Sequence, residues 1–376
     1  MATKTRSSLH LPSLKITGFR GFDRLTIPRL GRVTLLAGRN RVGKTTVLDA
    51  VRIFAARGRP SVLADLLQER EELAAGLDKD QGALAVPDVA ALFHGRGEAP
   101  NNGIAIGPGP GQDALRLARS LRDEWTDKQK RFNMNVEALK VEYADWTDFV
   151  SWSLAGDTSS MSSPLLPLLS GRGRFDETGW PERVKCESLG PGLPDNNHLA
   201  VLWRLIHLTD DEDLLVQVLG RHLGEEIQRI GVVNDLGGSP GSLSKNGVMV
   251  KLKGHSRPVP LRSFGDGAVR LFGVALELTY CRSGLLLLDE AENGLHHTVH
   301  TDFWRMVLQA AHEGEVQVLA TTHSWDCIVG FARAATECAD TDGVLVRLEA
   351  GAEGCRAVVY SKEELEIAAE QRIEVR

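Results

Sequence analysis

The sequence predicts an α/β fold whose core strands end in polar loops, and three stretches carry that prediction. Val33-Thr34-Leu35-Leu36-Ala37 is a short apolar, β-prone run, followed by a glycine-bracketed loop. Beyond that loop Val47, Leu48, Val51 and Phe54 recur at helical spacing. Gly284-Leu285-Leu286-Leu287-Leu288-Asp289-Glu290 is an apolar run ending in two acids. A buried parallel strand that delivers carboxylates at its C-terminal end has this pattern. Val318-Leu319-Ala320-Thr321-Thr322-His323-Ser324 is a further β-run, with Ser324 placed to cap a following helix.

The first loop, Gly38-Arg39-Asn40-Arg41-Val42-Gly43-Lys44-Thr45, satisfies G-x-x-x-x-G-K-[ST]. Gly38 and Gly43 let backbone N–H groups curl around a polyphosphate, and the helix N-terminus adds its partial positive charge. Lys44 would reach the β/γ-phosphates, the Thr45 hydroxyl would ligate Mg²⁺, and Asn40 and Thr46 complete the predicted cradle. Asp289 would hold Mg²⁺ directly or through water, while Glu290 would polarise the attacking water. A nucleoside triphosphate, ATP, is therefore the expected ligand. From Lys44 to Asp289 is 245 residues (289 − 44), far more than a simple RecA-like or hexameric AAA+ arrangement needs. A large inserted lobe is expected.

Composition narrows the setting. The 376 residues, 42% hydrophobic and 25% charged, suffice for a large core in one or two domains. Cys186, Cys281, Cys327, Cys338 and Cys355 are odd in number and scattered, with no C-x-x-C pair. That argues against a disulfide framework or zinc site and for a reducing compartment. Residues 1–10 contain no apolar signal region. No stretch approaches the ~20 apolar residues of a membrane span. The expectation is a cytoplasmic protein with no membrane segment, which leaves a membrane-bound partner open. The net charge of −6 argues against a protein that coats nucleic acid.

Further pieces resemble a family. Ser263-Phe264-Gly265-Asp266-Gly267 looks like the signature loop of ATP-binding-cassette ATPases of the RecF/SMC and OLD type. An apolar helix follows it (Leu271, Val274, Ala275, Leu278). Glu292-Asn293-Gly294-Leu295-His296 resembles the D-loop, His323 the switch histidine, and Phe19-Arg20-Gly21-Phe22 the N-terminal strand turn. Asp289 to His296 and Thr321 to Asp326 are most similar to stand-alone bacterial ATPases of the OLD-like AAA group. The resemblance covers about the whole chain. It departs from L-S-x-G-[EQ] at Arg262 and Asp266.

The resemblance implies an ABC-type P-loop NTPase head with a mixed sheet core, an antiparallel β subdomain and an inserted helical lobe. It implies that Ser263 and Gly265 contact the γ-phosphate held by another subunit. His323 would bond that phosphate or the attacking water, and Arg20 would approach the α/β-phosphates, with a surface arginine as the alternative reading. His296 and His297 face apart on a helix and are read as loop residues, not ligands.

One head is expected over residues 1–376, with a phosphate-loop lobe at 1–110, a β-rich and loop insertion at 111–195, a helical and hairpin lobe at 196–260, and the signature to switch-histidine lobe at 261–376. Gly103–Gly111, rich in Gly and Pro, would end the first lobe. Residues 114–154 read as hairpins and short helices, and 158–179 as a Ser/Pro/Gly-rich loop. Helices are expected at 199–208 and at 211–230, where Leu214, Val218 and His222 share a face. A hairpin is expected across 248–261, another across 344–360, and a charged helix at 362–371. No heptad run suggests the long coiled coil of SMC proteins.

Only residues 324–376 follow His323, too few for the Toprim nuclease domain of OLD proteins. The expected function is an ATPase that assembles around ATP, as a dimer or higher oligomer, and regulates a separate effector, Toprim-like or another nuclease. The resemblance places such genes beside anti-phage defence partners. The alternative is a RecF-like ATPase that clamps duplex DNA in repair or maintenance.

Overall fold

The computed structural model describes residues 9–78, 82–97, 103–109, 114–120, 137–152, 177, 179–233, 247–351, 354–361, 364–365 and 367. The chain begins with β1 (Leu14–Phe19), β2 (Phe22–Ile27) and β3 (Val33–Gly38), then α1 (Lys44–Ala55) and α2 (Pro60–Glu69). Next come β4 (Leu73–Asp78), β5 (Gly82–Pro87), β6 (Ile104–Gly107), β7 (Leu115–Ser120), β8 (Glu137–Tyr143) and β9 (Trp146–Trp152). β10 (Cys186–Leu189) leads to α3 (Asn196–Ile206), α4 (Asp210–Leu223), β11 (Ile227–Val233), β12 (Gly247–Leu252) and β13 (Val259–Pro260). Strict alternation follows in α5 (Asp266–Tyr280), β14 (Leu285–Leu288), α6 (His300–Glu313), β15 (Gln317–Thr321) and α7 (Trp325–Glu337), before the hairpin of β16 (Gly343–Gly351) and β17 (Gly354–Tyr360).

The fold is mixed α/β. Its core sheet has the order β10-β14-β15-β3-β16-β17, parallel except for the last pair. The parallel register gathers Leu189, Leu288, Thr321 and Gly38 at one edge, where open α/β sheets bind ligands. β15 stands between the strand that feeds the phosphate loop and the strand that carries the acids.

The leucine run shows why these residues make this core. Successive side chains of a strand point to opposite faces. Leu286 and Leu288 enter the core beneath α5, α6 and α7, whereas Leu285 and Leu287 pack on the side of α1 and the antiparallel sheet. All four are fully buried, and each burial contributes about 1.5–3 kcal/mol. An apolar run without alternation thus marks a strand covered on both faces. The antiparallel sheet has the order β2-β1-β6-β7-β8-β9, and a three-stranded sheet, β11-β12-β13, accompanies α3 and α4. Buried Gln317 joins the N-terminal segment to the core by accepting from Leu11 N (3.0 Å) and donating to Leu11 O (2.7 Å).

Two expectations need correction. Residues 103–111 do more than close a lobe: Ile104–Gly107 forms β6, inserted between β1 and β7. Burial of Ile104 and Ile106 overrides the Gly/Pro composition. The helix expected over 211–230 stops at Leu223, where Gly224 takes φ 66° as the C-terminal cap, and Ile227 starts a strand. The hairpins at 248–261 and 344–360 form as expected. The side chains of Leu214, Val218 and His222, nearly all of the 158–179 loop, and most of 362–371 lie outside the described residues. Among the described residues no helix is long and apolar enough to cross a membrane.

Candidate active site

The loop from β3 to α1 takes its shape from residues that only glycine satisfies. Gly43 has φ 99°, and a Cβ there would sit 2.5 Å from Cζ of the buried Phe22 ring. Gly38 has φ 147°, and its Cβ would meet the Leu348 carbonyl at 2.6 Å. Arg41 holds φ 65° without being glycine, a conformation few side chains adopt. α1 begins at Lys44 with no side-chain cap and no acid in its first turn, so its leading N–H groups remain available to an anion. Lys44 Nζ donates to the carbonyls of Gly38 (2.7 Å) and Arg39 (3.1 Å), curled back over the loop. Burial lowers its pKa, opposed by Asp289, Glu290 and Glu292. Asn40 is exposed on the same loop, and Thr46 is half-buried in the first turn of α1.

The acids arrive from β14. Thr45 Oγ1 donates to Asp289 Oδ1 at 3.2 Å, joining the two motifs. Neighbouring ligands of an octahedral ion at about 2.1 Å lie roughly 3 Å apart, so this oxygen pair fits Mg²⁺. Thr321, at the end of β15, donates to the same Asp289 oxygen (2.6 Å) and accepts from the Glu290 amide (2.8 Å). Glu290 has φ 47° and a 40% exposed side chain. Glu292 behaves differently. It is buried and accepts from Thr322 Oγ1 (2.7 Å), His323 N (3.1 Å) and Ser324 N (3.2 Å), anchoring the entry to α7. His323 Nδ1 lies 3.6 Å from Glu290 and 3.5 Å from Glu292, half-exposed between them.

Other predicted residues sit apart. Arg20, at φ 49° in the β1–β2 turn, donates to Glu72 at 2.7 Å and lies 3.6 Å from Asp49 of α1. Its guanidinium is held beside α1 by two carboxylates. Ser263 and Gly265 are exposed at the start of α5, which packs on α3, α4 and α6. Glycine is required nearby: a Cβ on Gly267 would stand 2.8 Å from the Gly294 carbonyl. Asn293 Nδ2 donates to Pro191 O at 2.7 Å, so the 292–296 loop is tied to the loop after β10. A cavity of about 890 Å³ flanks the site, running from Thr45 and Asp289 between α1 and β10 past Arg52 and Lys185.

Sequence reasoning placed Glu292 in the D-loop but gave no role here to Thr321 or to Arg270, whose guanidinium donates to the Asp289 carbonyl at 2.9 Å. The two threonines after an apolar run and an arginine inside an apolar helix were the available signals.

Gly43→Ala gives a direct test of the cradle. The αL conformation costs an L-residue about 1–2 kcal/mol, before the clash with Phe22. Nucleotide affinity by calorimetry should fall at least about tenfold, whereas Gly21→Ala, with nothing within 4 Å of its Cβ, should leave it unchanged. Equal affinities in the two variants would show that the loop shape is dispensable.

Residues 190–327 match the family model described as "AAA domain, putative AbiEii toxin, Type IV TA system". The match spans Ser263, Asp289, Glu290 and His323, and the phosphate loop lies outside it. Among solved structures, the SmcHead bound to the C-winged helix domain of ScpA is similar at 13% identity and TM-score 0.46, covering 94% of this chain and 98% of that one. The SMC head domain from Thermotoga maritima is similar at 14% identity and TM-score 0.42, covering 94% and 100%. A Pyrococcus furiosus Smc head bound to the C-terminal domain of ScpA is similar at 12% and 0.44, covering 97% and 100%. No curated protein matches the chain.

Proposed function

We propose that the chain is a Mg²⁺-dependent ATPase of ABC type, a single head that assembles around ATP and regulates a separate effector protein. The observation that carries this reading is the 3.2 Å contact between Thr45 Oγ1 and Asp289 Oδ1. Two motifs far apart in sequence meet where a metal–phosphate group would sit. Mg²⁺, held by Thr45 and Asp289, would supply charge neutralisation at the phosphates. Gly38 to Thr46 bind and orient the triphosphate. Glu290, unlike the anchored Glu292, has a carboxylate free to take a proton from water, with His323 beside it.

The family description, which names a putative toxin of a Type IV TA system, supports action beside a second gene product. The net charge of −6 favours a protein partner over a duplex-DNA clamp. The purified chain should bind ATP and release phosphate only with Mg²⁺ present, measured by calorimetry and phosphate release. Absence of binding at millimolar ATP would sink the proposal. Salt-sensitive duplex binding in the ATP state would favour the DNA-clamping alternative over effector control.

A further inference from the structure

Arg270 lies on the first turns of α5 and is fully buried. Its guanidinium donates to four backbone carbonyls. Two belong to the loop after β10, Gly190 and Gly192 (3.0 Å); two follow β14, Asp289 (2.9 Å) and Glu290 (3.3 Å). Burial pushes its pKa down to about 10, opposed by Asp289, Glu292 and Glu290. Removing a cation from water costs several kcal/mol, and an apolar side chain of similar volume would pack this helix without that penalty. The charge is spent on the carbonyls.

Those carbonyls matter because of what they hold. Glu290 is left-handed at φ 47°, a conformation that costs an L-residue about 1–2 kcal/mol. Its backbone is fixed from both sides, the N–H by Thr321 Oγ1 at 2.8 Å and the carbonyl by Arg270. α5 itself begins at the exposed Asp266, just after the exposed Ser263 and Gly265, and Gly267 packs against Gly294 of the loop that follows the acids. One helix thus has its tip on the surface and its guanidinium on the backbone of both acids.

We infer that Arg270 is a positioning residue that ties the backbone of Asp289 and Glu290 to α5 and so fixes where the Glu290 carboxylate stands for water activation. The inference rests on the ATPase reading above. Arg270 touches no substrate; it sets the direction in which the Glu290 carboxylate leaves the chain.

Arg270→Lys keeps the charge but lacks the planar fork that spans two loops. Arg270→Met keeps the volume and removes the charge. In the full chain, ATP affinity by calorimetry, KM and kcat are measured beside thermal unfolding. Both variants should bind ATP within about threefold of wild type and keep KM, while kcat per folded molecule falls at least about tenfold, the signature of an interaction needed in the transition state. The lysine should not rescue. If the methionine variant does not fold, the lysine variant carries the same comparison. A folded variant with wild-type kcat, or one whose loss lies in ATP affinity alone, would overturn the inference while leaving the ATPase reading intact. A wild-type chain that turns over no ATP would overturn both.

Discussion

Glu290→Gln should bind ATP as wild type does and hydrolyse it at least ~100-fold more slowly, the scale set by loss of a positioned general base. The substitution keeps shape and burial but removes the group that accepts the proton. Asp289 remains paired to Thr45 and Thr321, so metal binding persists. Lys44→Ala should separate from it cleanly. Charge-assisted hydrogen bonds contribute roughly 1.5–3 kcal/mol each, and Lys44 is the cation curled over the loop, so affinity itself should fall about 100-fold or more. Calorimetry and single-turnover phosphate release distinguish the two phenotypes.

Glu292→Gln offers the decisive contrast. That carboxylate accepts three hydrogen bonds at the entry to α7. Its amide should lower the melting temperature and disturb His323, rather than leave a stable, ATP-loaded, inactive chain. If Glu290→Gln turns over ATP normally while folded Glu292→Gln does not, the roles of the two acids are reversed.

The parts legible in sequence were those written contiguously. A strand, a glycine-bracketed loop and a helix within residues 33–54 announce a phosphate cradle because local geometry alone makes it. The leucine run before Asp289 announced a doubly covered strand for the same reason. What stayed hidden depends on convergence across the fold. Glu290 and Glu292 look equivalent as letters, and only the α7 entry tells the anchored acid from the exposed one. Thr321 became visible as a bridge once β15 was seen between β3 and β14. Arg20 sits in a motif that resembles a phosphate contact, yet its conformation is decided by Asp49 and Glu72, whose proximity no spacing reveals. β6 was obscured because pairing with β1 and β7 outweighs the propensity of a Gly/Pro-rich segment.

The second large effect concerns assembly. Ser263 and Gly265 are exposed just ahead of α5, the helix that packs against α3, α4 and α6. If they complete a neighbour's site, one chain alone is incomplete, and turnover should rise more than linearly with protein concentration. Lys44→Ala and Ser263→Arg should each be inactive as pure dimers, because every site then contains one damaged half. Mixed in equal amounts with subunit exchange, half the dimers would be hybrids. Each hybrid carries one doubly damaged site and one site with an intact phosphate loop facing an intact Ser263. A two-fold assembly with independent sites therefore predicts recovery of about one quarter of wild-type turnover. No recovery despite proven exchange would mean that both sites must fire together. Full activity of Ser263→Arg alone would remove the shared-site model, because an arginine at that exposed tip would fill the space the neighbour's γ-phosphate needs.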